Sequence, residues 1–177
     1  MRSSYFSTGR EGKMSVTVIF FEGSGTDYLV GLPIRLLTRE KGQSLYTVPS
    51  HTGIYFNEHN EYFEAVLSGV HSDSMNYDQV ISMPGILSMK PLTLPKEDDA
   101  FKFAQEQVGK PYDKTSIFLD AVGLFLSQEK IELLDNHTDA LNCSRYVSSI
   151  CSTGGFYIPT FQCPINPNQI KLYLDRH

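Results

Sequence analysis

The sequence has few cysteines, no long apolar run and no cluster of basic residues, and each absence excludes a class of protein. The three cysteines among 177 residues lie far apart, so they form neither a disulfide framework nor a CxxC metal site. This spacing favours a reducing compartment and leaves one bridge, Cys151–Cys163, open. The longest apolar run, residues 117–126, is interrupted by Asp120 and falls well short of the roughly 20 residues of a membrane-spanning helix.

The charge of the chain argues against nucleic acid as a partner. The formal net charge is −5, and no stretch is rich in lysine and arginine. A signal peptide is not predicted either, because the apolar stretch 16–21 is short and the polar residues 22–25 follow it in place of a cleavage site. We therefore expect a cytoplasmic protein, with delivery to a cell wall by another route left open.

The composition, 41% hydrophobic and 20% charged, is typical of a globular chain of one domain. We expect residues 1–13 to be a disordered extension and residues 14–177 to form a single α+β domain. Apolar periodicity and turn residues predict strands at 16–21, 51–56 and 61–67, a further strand within 77–89, and a linker at 90–95. They also predict helices at 96–108, 115–127 and 168–174, a helix starting at Cys143, and an extended segment at 156–161.

The helix that starts at Cys143 has a clear beginning and end. Asn142 is a favourable N-cap residue, and the pair Gly154 and Gly155 stops the helix. Cys143 is therefore expected in the first turn, where the helix dipole and the free N–H groups favour thiolate over thiol. Cys151 falls two turns later and is expected to lie in the core.

The strands at 51–56 and 61–67 are predicted to form a hairpin around residues 57–60. With that turn, Gly53 pairs with Glu64, and Glu64 lies on the sheet face that carries His51. A three-residue turn would move Glu64 to the other face. Gly53 is expected to leave room on that face for the Cys143 helix or for a substrate.

These residues suggest the chemistry of a cysteine nucleophile. An imidazole such as that of His51 accepts the thiol proton and later protonates the leaving group, and a carboxylate such as that of Glu64 orients the imidazole. The N–H of Cys143 is the first candidate to stabilise an oxyanion. Tyr112 is the second, because residues 111–113 form a pre-set turn before an apolar helix. Asp113 is expected to cap that helix.

Four segments together resemble a known family: residues 50–55, Glu64, residues 109–113 and residues 142–144. In this order they are similar to the circularly permuted, YiiX-like branch of the NlpC-type papain-like cysteine hydrolases, an arrangement shared with lecithin retinol acyltransferase-like proteins. The resemblance runs over nearly the whole chain. It implies an antiparallel sheet packed with helices, in which the histidine strand precedes the cysteine helix.

By position, the resemblance assigns Cys143 as the nucleophile, His51 as the base and Glu64 as the third, orienting residue. The branch usually has Cys-Ser-Glu at the start of the cysteine helix, whereas this chain has Cys143-Ser144-Arg145. A basic residue therefore replaces an acidic one beside the nucleophile.

The leading hypothesis is hydrolysis of an amide bond in a cell-wall peptide or an isopeptide. The alternatives are a lipid acyl hydrolase or acyltransferase of the same fold, and a non-catalytic binding or virion-associated module. The expected ligand is a peptide-like or acyl small molecule. No cofactor or metal is predicted, because a zinc site that includes Cys143 and His51 lacks paired ligand spacing.

Overall fold

The computed structural model describes residues 15–22, 35–36, 38–113, 141–159 and 165–177. Its centre is an antiparallel sheet of five strands: β1 (Val16–Phe21), β2 (His51–Phe56), β3 (Glu61–Val66), β4 (Gly69–Ser74) and β5 (Ile86–Leu92). The strand order is β4-β3-β2-β1-β5. The described elements also include a short 3-10 helix (Leu45–Thr47) and the α-helices α1 (Tyr77–Ile81), α2 (Glu97–Gln107), α3 (Cys143–Thr153) and α4 (Pro167–Arg176). The predicted α+β class is confirmed.

The predicted hairpin is confirmed, including its register. Phe56 pairs with Glu61, and Gly53 pairs with Glu64, across the four-residue turn 57–60. Asn60 adopts a left-handed conformation there, with φ of 52°, which asparagine tolerates better than most residues. The turn therefore keeps an even number of residues, and the alternation along β3 is as predicted.

For the chain that follows this hairpin, the predicted strand within 77–89 is present as the start of β5, but two further elements were missed. The strand β4 was not predicted, since Val70 is its one strongly apolar residue and its later residues are polar at the sheet edge. The segment 77–89 holds the short helix α1 before its strand, because Asn76 and Gln79 form a capping box. Strand β5 extends to Leu92 through part of the predicted linker, since pairing with β1 continues to that residue.

The sheet buries both faces, and the two faces carry different side chains. One face packs against α3 and α2 in the main core, whose sheet residues include Phe20, Ile54, Phe56 and Phe63. The other face carries a smaller apolar cluster, centred on Ile19, Phe21, Tyr55, Tyr62 and Val80. Because side chains alternate along a strand, His51 and Glu64 belong to the face of the smaller cluster.

The helix predictions are confirmed where the structure describes them. The helix α2 ends before Gly109, which adopts the left-handed conformation with φ of 85° that is typical of a residue following a helix. The predicted helix 168–174 is α4, and residues 156–159 are irregular rather than a strand. The predictions for residues 1–13 and 115–127 lie outside the described residues.

Two further observations bear on the sequence predictions. Cys151 is a free, buried cysteine. Cys163, the other member of the Cys151–Cys163 bridge that the spacing left open, lies outside the described residues. None of the helices in the described residues has the length and apolarity needed to cross a membrane.

Candidate active site

Cys143 occupies the first position of α3, as predicted. The side-chain Oδ1 of the N-cap residue Asn142 accepts a hydrogen bond of 2.7 Å from the backbone N–H of Arg145. This cap satisfies one orphan donor of the first turn, while the N–H groups at the very start of a helix have no acceptor within it. The Cys143 side chain is buried at this helix end.

His51 and Glu64 are joined across the hairpin. Nε2 of His51 lies 2.8 Å from Oε2 of Glu64, and the two side chains are 24% and 23% exposed. The contact is diagonal, because Glu64 lies opposite Gly53 and not opposite His51. On the other side of His51, the ring of its cross-strand partner Phe21 lies 5.7 Å from the imidazole, centroid to centroid. The imidazole is therefore held by a carboxylate and by an apolar ring.

The thiol of Cys143 interacts with the imidazole of His51, which brings the three groups together. Since Nε2 of His51 faces Glu64, Nδ1 is the ring nitrogen left for the sulfur. The backbone N–H of Thr52 also favours the ionised form of the sulfur. The helix α3 packs against β2 on the face of the sheet opposite to His51. Because His51 is the first residue of this central strand, the thiol reaches the imidazole at the end of the strand.

The electrostatics of the site favour a thiolate paired with an imidazolium. Burial raises the pKa of Cys143, but the hydrogen bond and charge of His51 and the N–H of Thr52 lower that pKa overall below its ordinary 9.0. Burial alone would lower the pKa of His51, but its hydrogen bonds to Cys143 and Glu64 raise it from 6.5 to about 10. Burial opposes ionisation of Glu64 as well, yet His51 and Tyr62 lower the pKa of the carboxyl below 4.5.

Tyr62 is a site residue that the sequence analysis missed. Its hydroxyl donates a hydrogen bond of 3.0 Å to Oε2 of Glu64, and its side chain is 1% exposed. The available signal was alternation, because Tyr62 lies two residues before Glu64 on the same face of β3. An aromatic residue in a strand is so commonly a core residue that the pattern alone did not single it out.

The prediction about Gly53 was wrong. The space above Gly53 is filled by the phenol ring of Tyr62, since a β-carbon on Gly53 would lie 2.6 Å from Cε2 of that ring. The helix α3 packs on the opposite face of the sheet. Gly53 therefore accommodates a neighbouring side chain of the sheet, and neither the cysteine helix nor a substrate lies on it.

Residues 111–113 are attached to the start of the cysteine helix by two contacts. Tyr112 forms an isolated parallel bridge with Leu141, and its ring packs against the main core. Oδ2 of Asp113, a residue only 2% exposed, lies 3.6 Å from Nη1 of Arg145. The basic residue beside the nucleophile is thus paired with a buried carboxylate. The helix that Asp113 was predicted to cap lies outside the described residues.

The remaining candidate groups are separate from this site. Cys151 is fully buried, and burial raises the pKa of its thiol to about 12. In the described ranges, no group of three histidine, cysteine, aspartate or glutamate side chains has an arrangement that could hold a metal ion.

Comparison of the sequence with protein-family models finds no match. Comparison with curated proteins likewise finds no match.

Proposed function

We propose that this protein is a cysteine-dependent hydrolase that cleaves an amide bond. The observation that carries the proposal is that Glu64 lies 2.8 Å from the imidazole of His51, while the same imidazole lowers the pKa of the Cys143 thiol. A nucleophile, a base within hydrogen-bond reach and a third group that orients the base are the elements of thiol catalysis. The lowered pKa of Cys143 and the raised pKa of His51 support an ion pair that is ready to react.

We further propose that the fold is a permuted papain-like fold of the NlpC type. The order along the chain supports this assignment, because the strand β2 with His51 precedes the helix α3 with Cys143. The antiparallel sheet, packed on one face by the cysteine helix, is also the architecture that the resemblance implies.

The first half of the reaction forms an acyl-enzyme. The Cys143 thiolate attacks the carbonyl carbon of the amide, and a carbon–sulfur bond forms while the carbonyl electrons move to the oxygen. When this oxyanion collapses, the carbon–nitrogen bond breaks, and the His51 imidazolium gives its proton to the departing amine. Glu64 keeps the imidazole in the required tautomer and orientation throughout.

The second half of the reaction restores the enzyme. Neutral His51 takes a proton from a water molecule, and the resulting hydroxide adds to the thioester carbon. The carbon–sulfur bond then breaks, and the acid product leaves behind a thiolate beside an imidazolium. The N–H of Cys143 at the start of α3 is the donor that we assign to the oxyanion in both halves. Tyr112 remains a proposed second contributor, since its backbone pairs with Leu141 next to the helix start.

Selective alkylation of Cys143 tests this proposal without knowledge of the substrate. The folded protein is treated with iodoacetamide between about pH 4 and pH 10, and the modified cysteines are identified by mass spectrometry. We expect Cys143 to react well below the pH of an ordinary thiol near 8.5. We expect Cys151 to stay unmodified, because its thiol is buried and its pKa is raised to about 12.

Inertness of Cys143 at neutral pH would contradict the proposal. Where Cys143 does react, its acylation is measured with peptide anilides and with carboxylic esters. Acylation by the anilides supports amide hydrolysis, whereas acylation by the esters alone supports the lipid acyl alternative. Cys143→Ser is the negative control for both substrates. A reactive thiol that turns over neither substrate class would favour the non-catalytic binding module.

A further inference from the structure

We infer that Tyr62 is a positioning residue of this active site, one that holds Glu64 where it accepts a hydrogen bond from His51. The inference rests on the proposed function, since it assigns a fourth member to the chain of Cys143, His51 and Glu64. It goes beyond the triad because the Tyr62 hydroxyl donates its hydrogen bond to the carboxylate of Glu64 and acts on the imidazole through that carboxylate.

Two donors from different strands meet on one carboxylate oxygen. Oε2 of Glu64 lies 2.8 Å from Nε2 of His51 on β2 and 3.0 Å from the hydroxyl of Tyr62 on β3. A glutamate side chain has three rotatable bonds, and one hydrogen bond leaves most of that freedom in place. The second donor fixes the oxygen in the position from which it orients the imidazole.

Tyr62 is itself held rigidly, as a positioning residue must be. Its ring lies over Gly53, where no side chain competes for the space, and meets Phe21 edge to face at 6.4 Å between centroids. The side chain is 1% exposed, so its hydroxyl does not turn to bulk water. The smaller apolar cluster on this face thus holds the Tyr62 hydroxyl in a fixed position.

Titratable groups on three neighbouring elements face the Tyr62–Glu64 pair in the described part of the chain. His51 and Tyr55 lie on β2, Cys143 on α3, and His71 and Asp73 on β4. Burial and the nearby negative charges raise the pKa of Tyr62 well above 10, so its hydroxyl keeps its proton and remains a donor. His71 helps His51 and Tyr62 to keep Glu64 ionised.

The chain offers a closely matched control for removal of the Tyr62 hydroxyl. Tyr55 is the direct cross-strand partner of Tyr62, lies on the same face and is also 1% exposed. Its hydroxyl donates a hydrogen bond of 3.0 Å to Asn60, away from the thiol. Tyr55→Phe and Tyr62→Phe therefore each remove one buried, hydrogen-bonded phenol oxygen from adjacent positions.

The test is the pH profile of Cys143 alkylation in the full chain. In Tyr62→Phe, Glu64 loses one of its two donors and orients His51 less firmly beside the thiol. The thiolate is then less stabilised, so the acid limb of the profile moves to higher pH. At one pH on that limb the rate falls by about three- to tenfold. Tyr55→Phe leaves the limb unchanged, although both variants lower the melting temperature. Equal profiles for the two variants would overturn the inference.

A double variant shows whether Tyr62 acts through Glu64. In the Glu64→Gln background, Tyr62→Phe should not slow Cys143 any further, whereas independent effects would multiply and contradict the inference. If Tyr62→Phe does not fold, 3-fluorotyrosine introduced at position 62 keeps the shape and strengthens the donor. The acid limb then moves to lower pH, and an unmoved limb would again overturn the inference.

The two proposals fail in different ways. If Cys143 of the unaltered protein is inert near neutral pH, the hydrolase proposal fails before any tyrosine is replaced. If Cys143 is reactive and Tyr62→Phe behaves as Tyr55→Phe does, the hydrolase proposal stands and only the role of Tyr62 is lost.

Discussion

Gly53 lies directly beneath the phenol ring of Tyr62, and no β-carbon fits between them. The two residues lie on neighbouring strands and face the same side of the sheet. The missing side chain at one position therefore makes room for the aromatic ring at the other. This fit places the Tyr62 hydroxyl against Glu64 and couples the packing of the sheet to the geometry of the proposed site.

The first prediction follows from this fit. Gly53→Ala should force the Tyr62 ring out of place and lower the free energy of unfolding by about 1–3 kcal/mol, as overpacking of a core does. Urea unfolding measures the loss, and Cys143 alkylation should slow in the same variant. Adding Tyr62→Leu should relieve part of the strain, so the double variant is more stable than the sum of the single changes predicts. Strict additivity would show that the two side chains do not meet.

The second prediction concerns the pH dependence of stability at Glu64. The folded-state pKa of Glu64 is below its ordinary 4.5, so its contribution is present above pH 4.5 and is lost as the pH falls through the lowered pKa. Glu64→Gln should cost about 1–3 kcal/mol at pH 7, since hydrogen bonds to a charged group are lost. The difference from the unaltered protein should shrink below about pH 4.5.

Urea unfolding at pH 7 and near pH 3.5 checks this prediction. Glu106→Gln is the control, because Glu106 is 59% exposed on α2 and pairs only loosely with Lys102 at 3.9 Å. Its effect should be small at both pH values. A Glu64→Gln cost that is the same at both pH values would contradict the prediction.

The third prediction separates the capping of α3 from its role in the site. Asn142 and Asn166 cap α3 and α4 in the same way, each accepting a hydrogen bond from the third helical N–H, at 2.7 Å and 3.0 Å. Replacing either residue by alanine should cost about 1 kcal/mol. Asn142→Ala alone should slow Cys143 alkylation at neutral pH, since only that helix start holds the thiol. Equal slowing by Asn166→Ala would indicate a general loss of structure.

The fourth prediction concerns His51. The imidazolium stabilises the Cys143 thiolate by charge and by a hydrogen bond, so His51→Ala should raise the pKa of the thiol. Alkylation at pH 7 should slow by about tenfold or more, and turnover of any amide substrate should be lost. His59→Ala is the control, because His59 stacks on Phe101 at 3.6 Å in the hairpin turn. Unchanged Cys143 reactivity in His51→Ala would remove the basis of the enzyme proposal.

The central hairpin and the cysteine helix could be predicted because their signals are local. The even turn 57–60 sets the register that brings Glu64 to the face of His51, and Asn142 sets the first residue of α3. Each of these signals lies within a few residues of the feature that it specifies. The edge strand β4 was not predicted, because the signal for it is not local. Its polar side chains do not indicate a strand, and it is held in the sheet by its pairing with β3.

The amino-acid sequence by itself determined the α+β class, the register of His51 with Glu64 and the position of Cys143 in the first turn of α3. Only the tertiary structure decided which group occupies the space over Gly53, that Arg145 pairs with the buried Asp113, and that Tyr62 joins Glu64. These contacts depend on how the side chains of a sheet and a helix fill a shared interior. Periodicity specifies a face of each element, whereas the neighbour on that face is specified by close packing between elements.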